Sequence, residues 1–244
     1  MYQFIVDSRL LWSRLCTTRQ GVDSTSVALL QERGTWRLSD AVRRRSEREH
    51  IVRRIAIIYF SATGTTAALA DAINAGAAES ATVVVYCIAA ADIVGGRFQN
   101  EEVLKLADTA DGLAFGSPTY MGGPAAQFKA FADATSDRWG KQRWANKVAT
   151  GFTTGSCANG DQGHTLAYFT ILAAQHGMLW CSLGIPGGYD PFGRNRLGSH
   201  LGLATHAVDG ALDTADLATA HHLGRRLARA ASEVASPLAR DPRL

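Results

Sequence analysis

No apolar run of about eighteen residues interrupts this sequence, so a membrane-spanning helix is not expected. Cysteine is sparse: Cys16, Cys87, Cys157 and Cys181 are the 4 present, and they form neither a Cys-x-x-Cys pair nor the spacing of metal ligands. A disulfide framework and a zinc site are therefore set aside. The thiols read as reduced, with Cys87 and Cys181 inside buried strand candidates, which places the protein in the cytoplasm. The start, Met1-Tyr2-Gln3-Phe4, lacks the charged-then-apolar order of a secretory signal. No Ser-His-Asp set or paired-carboxylate signature stands out, since Asp161, His164 and Asp190 fall in loop-like stretches where solvated polar residues are ordinary.

What remains is the composition of a globular α/β protein, with 46% hydrophobic and 19% charged residues in 244. The net charge of +3 is unevenly placed: residues 1–54 hold 11 Arg against 6 acidic residues, net +5, leaving 14 basic and 16 acidic residues, net −2, in 55–244. Residues 1–53 show no sustained apolar period and read as a basic, largely disordered extension. Asp40, Glu47 and Glu49 dilute its charge and no aromatic interleaving accompanies it, so a nucleic-acid partner is not expected. An arginine-rich targeting peptide and a start codon set too far upstream fit the same residues. Residues 54–236 are expected to form one domain, followed by a flexible tail at 237–244.

Within the domain, apolar runs at 55–60, 82–88, 112–116, 147–152 and 178–183 alternate with helical patterns at 66–79, 101–107, 124–135, 165–176 and 213–234. Strict alternation implies parallel strands joined by right-handed crossovers. The expected fold is therefore a flavodoxin-like, doubly wound five-stranded parallel sheet with helices on both faces. In such sheets ligands sit beyond the carboxyl ends of the strands.

Three turns at that edge have ligand chemistry. After the first strand comes Ser61-Ala62-Thr63-Gly64-Thr65-Thr66, where backbone amides, hydroxyls and the positive end of a helix dipole converge without a lysine. Lacking both Gly-Lys-Ser/Thr and the three-glycine dinucleotide spacing, the turn suits the phosphate of flavin mononucleotide. An N-capped helix after a buried strand accounts for the same residues without a ligand. After the third strand comes Gly116-Ser117-Pro118-Thr119-Tyr120-Met121-Gly122, and after the fourth Thr153-Thr154-Gly155-Ser156-Cys157-Ala158-Asn159-Gly160. Both are rich in small and polar residues that let backbone approach a planar heterocycle.

These motifs, with Trp139 and Leu172-Ala173-Ala174-Gln175-His176-Gly177-Met178, resemble the flavodoxin-like NAD(P)H:quinone oxidoreductases of the tryptophan-repressor-binding-protein (WrbA) type. The resemblance runs from Arg54 to about Ile185. It implies FMN held at its phosphate by Ser61, Ala62, Thr63, Gly64, Thr65 and Thr66. Pro118, Thr119, Tyr120, Met121 and Gly122 would lie alongside the isoalloxazine, and Thr153, Thr154, Gly155, Ser156, Cys157, Asn159 and Gly160 at the ring edge and ribityl chain. It further implies a homo-oligomer, dimer or tetramer, in which His176 reaches a neighbouring subunit's flavin and a quinone or nicotinamide stacks near Trp139. On their own residues, His176 reads as a helix C-terminal cap and Trp139 as packing. NADH or NADPH is the implied co-substrate, Arg194 and Arg196 are candidates for holding its phosphates, and a flavodoxin-type electron carrier is the rival reading. Where that family commonly has Thr-Arg-Phe-Gly, this chain has Thr119-Tyr120-Met121-Gly122, and the segment 89–108 is shorter than usual.

Overall fold

Every residue from Ile55 to Tyr59 is buried. A strand covered on both faces must be apolar throughout, and its alternation divides the side chains between two cores. Ile55, Ile57 and Tyr59 enter one cluster, while Ala56 and Ile58 enter the other.

The computed structural model describes residues 30–32, 35–37 and 52–234. The chain divides into two units, 1–51 and 52–244. In the first, β1 (Leu30–Glu32) and β2 (Thr35–Arg37) pair antiparallel. Residues 1–29, 33–34 and 38–51 of the expected extension, Cys16 among them, and the expected tail at 237–244 lie outside the described residues, while Arg53, expected in the extension, opens β3 (Arg53–Tyr59).

The second unit is built on a sheet in which β4 (Ala81–Cys87), β3 (Arg53–Tyr59), β7 (Gly112–Tyr120) and β9 (Val148–Gly155) lie side by side, all parallel. Helices α1 (Thr65–Ala78) and α6 (Thr214–Val234) cover one face through Leu69, Ile73, Leu223 and Leu227. Helices α2 (Glu101–Thr109), α3 (Ala126–Ala134) and α5 (Gln162–Gln175) cover the other through Leu104, Phe128, Phe131 and Phe169. A short helix α4 (Ser136–Gly140) follows α3, and β5 (Ile93–Val94) and β6 (Arg97–Phe98) form a small hairpin. The α1–α6 crossing is tight: a Cβ on Gly76 would strike the carbonyl of His221, and one on Gly224 the carbonyl of Ile73. Among the described residues no helix is long and apolar enough to cross a membrane.

The fifth strand differs from the expected run at 178–183. It is split into β10 (Leu179–Trp180), beside Val148 and Ala149, and β11 (Leu203–His206), beside Phe152 to Gly155. Between them residues 181–202 leave the sheet, because Leu183 and Ile185 bury their side chains in the core shared with α6 instead of continuing the ladder. The chain returns at Gly202, where any Cβ would collide with the carbonyl of Gly151. Cys181 is buried as expected, although outside a strand, whereas Cys87, at the carboxyl end of β4, is exposed.

Candidate active site at the carboxyl edge of the sheet

Strands β3, β7 and β9 are adjacent and parallel, so the three turns anticipated from sequence share one edge, on both sides of the point where strand order reverses between β3 and β7. In the first turn Ser61 Oγ accepts from the amides of Gly64 and Ala67 at 3.2 and 3.3 Å. This hydroxyl satisfies one amide of the first turn of α1, although the N-cap position itself is Gly64 and carries no side-chain cap. The amides of Ala62, Thr63, Thr65 and Thr66 have no acceptor among the described residues. Gly64 takes a left-handed φ of 93° as the residue before α1, and the space where a Cβ would stand is open. No acidic residue sits in the first turn of α1, so its positive dipole end is not neutralised. The hydroxyls of Thr63 and Thr65 flank the same spot, 3.5 Å apart. These residues fit a dianionic phosphate, which would accept from the free amides and interact with the helix dipole.

The second turn is shorter than the sequence implied. β7 runs on to Tyr120, so Pro118 and Thr119 belong to the strand, and the chain folds back at once into β8 (Gly123–Pro124). Met121 and Gly122 form a two-residue turn with φ of 47° and 79°, both in the left-handed region that such hairpins require. Met121 is fully exposed and Tyr120 about half so, at 47%. Ser117 Oγ, buried, donates to the Pro118 carbonyl and accepts from the Ala125 amide, which fixes the hairpin to α3.

In the third turn Thr153, Thr154 and Gly155 close β9, and only Ser156 to Asn159 are exposed loop. Pro118 pairs with Thr154 in the ladder, which brings second and third turns side by side. Thr154 Oγ1 is buried with no hydrogen-bond partner among the described residues. An orphaned hydroxyl at the ligand edge fits a polar group supplied from outside the chain.

Three further residues join these turns: Gln162 and Thr165, which the sequence does not single out, and His164, which it reads as an ordinary loop residue. The sequence pattern places this helix over 165–176, whereas α5 begins at Gln162. Thr165 Oγ1 lies 2.8 Å from Thr119 Oγ1, which lies 2.8 Å from Thr153 Oγ1. His164 Nδ1 donates to the Gly122 carbonyl at 2.5 Å. Gln162 donates to the Cys157 carbonyl at 2.6 Å and accepts from the Gly160 amide at 2.8 Å.

His176 and Trp139 are not brought to this edge. Helices α3 and α5 both start at the ligand edge and run away from it, and the 14 residues of α5 span about 20 Å. His176 is 1% exposed, bonded to Thr135 and stacked on Trp144 with ring centroids 4.5 Å apart. Within one chain it is a buried packing residue beyond the end of α5, so it touches nothing at the three turns. Trp139, nearby, is half exposed. Arg194 and Arg196 are likewise committed elsewhere. Arg194 binds both carboxylate oxygens of Asp190, and Arg196 both oxygens of the buried Asp216, at 2.8 to 3.1 Å. The Arg194 guanidinium holds the Asp190 carboxyl down to about 2. Neither arginine is free to take a nicotinamide phosphate. No group of three or more His, Cys, Asp or Glu side chains is placed to hold a metal among the described residues.

A parallel sheet of this order, with helices on both faces and a lysine-free phosphate turn after its first strand, defines a flavodoxin-like protein. Residues 53–183 match the model of the family described as NADPH-dependent FMN reductase, and the chain belongs to that family. A flavodoxin, FldP, from Pseudomonas aeruginosa is 36% identical over 71% of this chain and 94% of its own length. An NAD(P)H dehydrogenase (quinone) from Archaeoglobus fulgidus is 32% identical over 74% of this chain and 98% of its own. Among solved structures, a WrbA-like flavodoxin from Agrobacterium tumefaciens is 35% identical, with a TM-score of 0.61 over 75% of this chain and 99% of that one.

Proposed function

We propose that this protein is an FMN-dependent oxidoreductase that passes two electrons from NADH or NADPH to a quinone. The observation that carries the reading is the set of unfilled amides at Ala62, Thr63, Thr65 and Thr66, on the same edge as two turns that can flank a planar ring. Membership of an FMN reductase family and relatives named as quinone dehydrogenases support the substrate class. FMN, when bound, would supply the redox chemistry, relaying the two electrons of the nicotinamide's hydride to the quinone, with the hydride's proton and a second proton from solvent completing the hydroquinone.

The chain's own residues bind and orient. The free amides and the Thr63 and Thr65 hydroxyls would hold the phosphate. Pro118 to Gly122 would line one side of the ring and Thr153 to Gly160 its edge, where Thr154 Oγ1, without a partner among the described residues, would be available to it. Tyr120 stands at the open side, where a second planar molecule would enter. The site is cytoplasmic in this reading, and the protein works as a homo-oligomer. Trp139, half exposed at the opposite edge, then lies against another copy's site.

The test is direct. Purified protein should be yellow, and NADH or NADPH with benzoquinone should be consumed rapidly. Bound flavin without turnover would instead favour an electron carrier, the reading that the relative named a flavodoxin supports. Carriers dock through strongly acidic faces, and residues 55–244, with 14 basic and 16 acidic residues, lack such an excess.

A further inference from the structure

We propose that the first turn of α5 is a brace that sets the spacing between the two ring-flanking turns, with Gln162, His164 and Thr165 as positioning residues for the cofactor. The inference rests on the FMN reading above and adds to it residues that do not hold the phosphate.

The side chains of this one turn reach in two directions. Towards the second turn, Thr165 Oγ1 meets Thr119 Oγ1 at 2.8 Å and His164 Nδ1 meets the Gly122 carbonyl at 2.5 Å. Towards the third, Gln162 holds the Cys157 carbonyl at 2.6 Å and the Gly160 amide at 2.8 Å, and reaches the Thr205 carbonyl of β11 at 3.3 Å. The chain of hydroxyls continues from Thr119 to Thr153 in β9. Gln162 and Thr165 are buried, so water cannot replace a lost bond at little cost. Meanwhile Met121 and Ser156 to Asn159, the tips of the turns being held, are exposed and have little packing of their own. A width fixed by side chains of a 14-residue helix is more exact than one left to two loop tips.

The phosphate turn is anchored separately, by Ser61. Loss of the brace should therefore alter the grip on the ring and leave the phosphate turn intact.

The experiment compares wild type with Thr165→Val, Thr165→Ser and Gln162→Leu. It reads FMN affinity by fluorescence, the visible absorption bands of bound FMN, and amide hydrogen exchange in the FMN-free protein. Removing one buried hydrogen bond should weaken FMN binding by about tenfold. Thr165→Val should also shift the flavin bands and speed exchange at 119–123, and Gln162→Leu at 157–160, with exchange at 61–67 unchanged. Thr165→Ser should restore wild-type behaviour. Unchanged exchange and unchanged bands in Thr165→Val and Gln162→Leu, or a Thr165→Ser protein as impaired as Thr165→Val, would overturn the brace. Wild type that takes up no FMN would overturn the cofactor reading instead, and exchange in the FMN-free chain would still decide whether the turns are held from α5.

Discussion

The imidazole of His176 donates from Nε2 to the hydroxyl of Thr135, 2.8 Å away. The direction follows from the hydroxyl's own hydrogen, which is given to the Ala132 carbonyl at 2.7 Å. Nδ1 is therefore the unprotonated nitrogen, buried without a partner among the described residues. A proton added there would have no acceptor among the described residues, and burial pushes the His176 pKa down from 6.5 to about 4.

Stability should therefore depend on acid in a defined window. Below its ordinary value of 6.5 the unfolded chain's histidine takes a proton that the native imidazole refuses until about 4, so this contribution is full above 6.5 and lost as pH falls towards 4. The limiting slope is about 1.4 kcal/mol per pH unit for one proton. Urea midpoints at several pH values should fall along that slope in wild type and less steeply in His176→Gln. Parallel slopes in the two proteins would contradict the assignment.

Replacing Thr63 and Thr65 together by valine should weaken FMN binding. Two hydroxyls worth roughly 1 kcal/mol each imply about a thirtyfold rise in Kd. Because Thr63 is exposed and valine keeps the volume of the buried Thr65, the folded protein should persist with its melting temperature little changed. Equal flavin occupancy in the double variant after gel filtration would count against the phosphate turn.

Arg196→Met should destabilise the fold without raising KM for the nicotinamide. The substitution strips the partner from Asp216, a carboxylate 2% exposed, and an uncompensated buried charge costs about 3 kcal/mol. A clear rise in KM at unchanged stability would return Arg196 to the substrate site.

Gly76→Ala or Gly224→Ala should each lower stability by about 1–3 kcal/mol, since the added methyl meets backbone carbonyl rather than a side chain that can turn aside. Guanidinium denaturation gives the figure, and a variant as stable as wild type would show that α1 and α6 can part without penalty.

The elements most readable in advance were those with one dominant local signal. The apolar run at 55–60 and the hydroxyl-rich turn after it announced a buried central strand feeding a helix, and β3 and α1 follow closely. Residues whose partners are distant in the chain were less legible. Nothing near Leu183 or Ile185 signals that they turn beneath α6, so the fifth strand was placed too long and Leu203–His206 was missed. Met121 and Gly122 read as a loop because their left-handed φ values, not their residue types alone, make the hairpin. His164 read as a solvated loop residue, and Gln162 gave no signal, because their acceptors, Gly122, Cys157 and Thr205, are defined only once the strands are aligned.

The split fifth strand has a consequence for how molecules of this protein meet. A long, flat rim of unpaired backbone groups is a template on which chains add to one another without limit. Here that rim is broken into a two-residue piece and a four-residue piece separated by an excursion of the chain. An extended segment arriving at this border finds no continuous ladder to extend, which leaves the opposite border, the unbroken seven residues of β4, as the longer rim on which another strand could add.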